Sequence, residues 1–115
     1  MKKLLILFLA ITILSCKKEK QANGKLNIVT TTTMITDLVK NVGGEHINLQ
    51  GLMGSGIDPH LYKASEGDVT KLSDSDIIFY NGLHLEGKLV EVIEKMKNIK
   101  NIDVADALDK NTLIG

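Results

Sequence analysis

Arginine and tryptophan are absent from this chain of 115 residues, and proline and cysteine occur once each. The fourteen basic residues are therefore all lysine, and they are balanced by fourteen acidic ones. That balance leaves neither a basic footprint nor an acidic tail, so nucleic acid is not expected as a partner. Aromatic residues make up only 3% of the chain, which removes the stacking platforms that single-stranded nucleic-acid binders use. A lone cysteine, Cys16, excludes any disulfide within the chain. No apolar run is long enough to cross a bilayer, which takes about 20 helical residues. What remains is 43% hydrophobic, enough for one small core and too little for two.

The longest apolar run is at the start. Met1-Lys2-Lys3 is positive, and Leu4 to Ser15 follows with only Thr12 and Ser15 polar. This is the pattern of an export signal. The run ends at Ile13-Leu14-Ser15-Cys16, which resembles a bacterial lipobox and makes Cys16 the expected site of lipidation. The alternative is an ordinary signal cut elsewhere, with Cys16 an idle thiol. On the lipoprotein reading, residues 1–15 are a signal peptide. Residues 16–24, polar and lysine-rich, form a tether, and the mature protein is exported and held by its lipid anchor at a membrane surface, facing the periplasm or the cell exterior.

From Lys25 onward strand and helix patterns alternate. Leu26 to Thr32 is β-branched and reads as a strand, with Thr33 as a candidate N-cap. Ile35, Leu38, Val39 and Val42 fall at i, i+3, i+4 and i+7, the spacing of a buried helix face, and Gly43-Gly44 ends it. Ile47 to Met53 reads as a second strand. Ser65-Glu66-Gly67-Asp68 has capping-box spacing ahead of a short helix. Ile77 to Tyr80 is continuously apolar, as a strand covered on both faces of a parallel sheet should be. A third helix carries Leu89, Val92, Ile93 and Met96 on one side, and Ile99 to Val104 offers a fourth strand. The expected fold is therefore α/β, a four-stranded parallel open sheet with flanking helices in residues 25–115.

In such sheets ligands gather beyond the carboxyl ends of the strands. There the second strand runs into Gly54-Ser55-Gly56-Ile57-Asp58-Pro59-His60-Leu61-Tyr62. Pro59 fixes its own φ and biases Asp58 towards an extended conformation, so His60 stands on a stiffened loop. A neutral imidazole is a common ligand for transition metals, and a nearby carboxylate such as Asp58 can fix its tautomer. His84 and Glu86 follow the third strand and can reach the same edge, whereas His46 precedes the second strand at the opposite end. The Gly54-Ser55-Gly56 stretch has neither the frame of a nucleophile elbow nor the lysine of a phosphate-binding loop, so an enzyme is not expected.

Gly56-x-Asp58-Pro59-His60-x-Tyr62 after a second strand, and Asp76-Ile-Ile-Phe-Tyr-Asn-Gly-Leu-His-Leu-Glu86 after a third, behind a lipobox, resemble the metal-binding solute receptors of bacterial ABC importers. The likeness runs over nearly all of Lys25 to Val104. It implies a protein of two α/β lobes with a divalent ion, Mn2+, Zn2+ or Fe2+, held between them, of which residues 25–115 make most of the first lobe. By the same likeness His60 is the first metal ligand, and the segment from Asn81 to Glu86 is cleft wall with His84 a cleft residue rather than a ligand. The remaining family ligands lie in later segments. Because zinc takes about four ligands and manganese about six donors, the chain alone is expected to bind metal weakly. The implied partner is a membrane permease, the implied state a monomer, and the alternative function a lipid-anchored surface adhesin.

Overall fold

Four short runs of aliphatic and β-branched residues form one parallel sheet, in a computed structural model that describes residues 23–114. In chain order these are β1 (Leu26–Thr30), β2 (Ile47–Gly51), β3 (Ile77–Tyr80) and β4 (Lys100–Asp103). Between them lie α1 (Thr33–Gly43), α2 (Glu66–Ser73) and α3 (Leu89–Lys95). The expected signal peptide of residues 1–15, Cys16 and most of the 16–24 tether lie outside the described residues.

The spatial order is β2-β1-β3-β4, and each neighbouring pair is parallel. The chain thus steps from β1 to β2 on one side, then passes back over β1 to β3 on the other. With right-handed crossovers, that reversal puts α1 on one face of the sheet and α2 and α3 on the other. The packing follows from the two-residue alternation of strand side chains. Val29 pairs in register with Ile78, and both join Tyr80, Leu72 of α2, and Leu89 and Ile93 of α3 in the main core. Leu72, Ile78 and Ile93 are fully buried. The intervening residues Ile28 and Phe79 turn to the opposite face, towards Ile35 and Val39 of α1.

That opposite face is only partly covered. Ile35 of α1 is buried, but Leu38 is 61% and Val42 90% exposed, although their spacing predicted a buried stripe. They border an open apolar groove of about 390 Å3 that also touches Ile47 and Val104. The N-cap differs by one residue as well. Thr32, not Thr33, caps α1, in an extended conformation and without a side-chain cap bond. At α2 the expected capping box forms in full, with Ser65 Oγ accepting from Asp68 N–H and the Asp68 carboxylate accepting from Ser65 N–H.

Candidate metal-binding edge of the sheet

The order reversal places a topological switch point between β1 and β3, where the loops leaving the two strands diverge. Crevices of this kind are the usual ligand sites of open parallel sheets. The loops after β1, β2 and β3 all emerge at this edge.

After β2, ladder-like bonding continues for two more residues, with Leu52 N–H to Thr30 O (2.9 Å) and Met53 N–H to Thr31 O (3.0 Å). Met53 enters the core, and the chain then leaves the sheet through Gly56, whose φ of +80° few other residues tolerate. Asp58 Oδ1 next accepts from the His60 backbone N–H at 2.9 Å, closing an Asx turn across Pro59. The same oxygen lies 2.9 Å from His60 Nδ1. A carboxylate only accepts, so the neutral ring carries its proton on Nδ1 and directs the lone pair of Nε2 outward. Hydrogen bonds from the His60 ring and then from its backbone hold the Asp58 carboxyl below its ordinary pKa of 3.8. Both side chains are well exposed, 65% for His60 and 55% for Asp58. The unit is an oriented imidazole open to solvent.

The base of this loop is tied down by Tyr62. Its hydroxyl donates to Asp68 Oδ2 at 2.8 Å and lies 3.3 Å from Leu52 O, joining the two ends of the segment that carries His60. Burial and then the Asp68 carboxylate push the phenol up to about 12. For Asp68 itself, burial works to raise the pKa, but hydrogen bonds from Ser65, Tyr62 and Lys71 outweigh it and bring it down to about 2.

The loop after β3 is built differently. Gly82, Leu83, His84 and Gly87 all have positive φ, the two non-glycines at 51° and 63°. His84 is exposed, and so are Leu83 and Gly87. Glu86 points the other way and is fully buried. Its carboxylate accepts from Thr31 Oγ1 at 2.6 Å, from Gly82 N–H at 3.2 Å, and from Asn81 N–H in a short contact. Glu86 thus bridges the switch point from the end of β1 to the loop after β3. His46, in a 3-10 turn just before β2, is exposed at the opposite edge.

Asp58 and His60 are therefore brought into contact, His84 stays on the surface of its loop, and Glu86 is occupied with backbone and hydroxyl donors. Among the described residues no group of three or more His, Cys, Asp or Glu side chains gathers as a metal-binding cluster. Two residues of this edge carry no sequence signal of their role. Thr31 supplies the hydroxyl for Glu86, from 55 residues away. Gly87 lies against the His60 backbone, where an added Cβ would stand 2.7 Å from the carbonyl oxygen.

A four-stranded parallel sheet in this order, with helices flanking it, matches part of a TroA-like solute-binding protein. The solved periplasmic zinc-binding protein TroA of Treponema pallidum matches 80% of this chain and 34% of its own, with a TM-score of 0.77 and 44% identity. The Zn(II)-bound ZnuA-like domain of Streptococcus pneumoniae AdcA matches 75% of this chain with a TM-score of 0.67 and 31% identity, over 33% of its own length. In sequence, the manganese-binding lipoprotein MntA of Bacillus subtilis is 43% identical over 113 residues, which covers 95% of this chain. The family described as zinc-uptake complex component A, periplasmic, matches residues 28–113, and the chain belongs to it. It spans 37% of the length of the Bacillus lipoprotein.

Proposed function

We propose that this chain contributes a metal-capturing lobe to the extracytoplasmic substrate-binding component of an ABC importer for a divalent transition metal, Mn2+ or Zn2+, delivering the ion to a membrane permease. One observation carries the reading: the His60 imidazole is held by Asp58 at the sheet's ligand edge with Nε2 free. Family membership supports it, and the relatives' own names supply the two metals. Capture needs no covalent step. The ion is the cargo, His60 is its first donor, and Asp58 orients that donor. Further donors must come from elsewhere, because His84 and Glu86 do not converge with His60 into a cluster. Cys16, as the lipid attachment point, would keep the receptor at the membrane where the permease lies.

The test is a chimera in which this chain replaces the segment it aligns with in the Bacillus subtilis lipoprotein. A ligand that binds only the native state raises apparent stability by about 2.7 kcal/mol at a hundred times Kd. Mn2+ or Zn2+ should therefore raise the melting temperature of the chimera, and His60→Ala should abolish the rise. An unchanged rise in His60→Ala would refute the assignment. No metal-dependent rise in the parent chimera would favour the adhesin reading.

A further inference from the structure

The switch-point crevice, where open parallel sheets usually receive a ligand, is here filled by the chain's own carboxylate. Burying a charge is costly unless it is hydrogen-bonded, and Glu86 is answered by three donors: Thr31 Oγ1, Asn81 N–H and Gly82 N–H. Those donors belong to two different loops, so the carboxylate fixes their separation. It also holds a loop with two non-glycine residues, Leu83 and His84, in the left-handed region. Immediately after Glu86, Gly87 presses on the loop after β2. A Cβ there would meet the His60 carbonyl oxygen at 2.7 Å, with the His60 carbonyl carbon at 3.5 Å and Cα at 3.8 Å. Every one of these neighbours is backbone, and none can swing aside as a side-chain tip would. Gly87 also has a φ of +50°.

These contacts form a chain of positions: the end of β1, the Glu86 carboxylate, the Gly87 backbone and the His60 backbone. We propose that Glu86 and Gly87 are positioning residues for the metal ligand, locking the 81–87 loop to Thr31 so that it braces the backbone from which the His60 imidazole projects. The proposal rests on the reading of His60 as a metal ligand. It assigns Glu86 no contact with the ion. Asp58 sets the tautomer and rotation of the ring, whereas the Glu86–Gly87 brace sets where the ring begins.

The test uses the chimera described above, labelled with 15N, with Zn2+ as the probe. Gly87→Ala should move the His60 and Leu61 amide resonances while leaving those of Val29 and Ile78 in the core in place. It should also weaken Zn2+ binding about tenfold, the lower end of what loss of an orienting partner costs a metal site. Thr31→Val removes the hydroxyl that donates to Glu86 and should produce the same pattern together with faster amide exchange at Gly82. Thr31→Ser keeps the hydroxyl and should restore the parent behaviour, which a packing role for Thr31 would not explain. If Gly87→Ala fails to fold, the Thr31 pair decides the matter alone. Unmoved His60 and Leu61 amides in Gly87→Ala, or Thr31→Val and Thr31→Ser behaving alike, would overturn the proposal. A failure of the metal-ligand reading is distinguishable, since His60→Ala would then leave Zn2+ binding unchanged while the amide resonances still report whether the brace exists.

Discussion

Replacing Asp68 by asparagine should remove a stabilising contribution that depends on pH in a defined window. The Asp68 carboxylate receives Ser65 N–H at 3.0 Å, Ser65 Oγ at 2.7 Å and Tyr62 OH at 2.8 Å, with Lys71 Nζ at 3.4 Å. These donors favour the ionised form and lower the pKa from 3.8 to about 2. At about 1.36 kcal/mol per unit the shift corresponds to roughly 2.4 kcal/mol, and screening near the half-exposed Lys71 reduces this to about 1–2 kcal/mol. A depressed folded-state pKa stabilises above the unfolded value and ceases to do so as pH falls through the folded one. The contribution is therefore complete above about pH 5 and is lost progressively as the pH falls to about 1. Urea unfolding of the parent and of Asp68→Asn, followed by circular dichroism from pH 7 downward, should show a gap of about 1–2 kcal/mol that closes between those limits. A gap that stays constant with pH would refute the electrostatic argument and leave only a shape effect of the substitution.

Other substitutions probe the core, the apolar groove and the His60 loop. Leu72→Ala, at a fully buried position in the core between α2 and the sheet, should cost about 2–5 kcal/mol in the same unfolding assay. Val42→Gln, on the exposed border of the apolar groove, should change stability by less than about 0.5 kcal/mol and reduce binding of a hydrophobic dye. Asp58→Asn, which replaces the ionised partner of His60 Nδ1, should weaken Zn2+ or Mn2+ binding about tenfold to a hundredfold in a calorimetric titration of the chimera.

Much of the architecture is written locally in the chain. The continuous apolar run Ile77–Tyr80 announces a strand, although only Ile78 and Tyr80 are buried while Ile77 and Phe79 on the other face are half-buried, and the Ser65/Asp68 spacing announces the capping box that forms. His60 and Asp58 lie two residues apart across a proline, so their contact is also a local matter. What stays hidden is what depends on distant neighbours. The spacing of Leu38 and Val42 identifies an apolar stripe but cannot say whether anything covers it, and both are exposed. Glu86 reads as a candidate cleft carboxylate because its partner Thr31 is 55 residues upstream in a run of threonines with no distinguishing neighbour. Positive φ at Leu83 and His84 is equally illegible, since the left-handed region is expected of glycine and asparagine rather than leucine. Gly87 shows no role until the His60 backbone is seen beside it.

If His60 Nε2 bonds the ion directly, X-ray absorption at the zinc edge of the Zn2+-loaded chimera will register it without reference to stability. An imidazole nitrogen is expected at about 2.0–2.1 Å, with its ring scattering pattern diminished by one imidazole in His60→Ala. A spectrum unchanged by that substitution would contradict direct bonding.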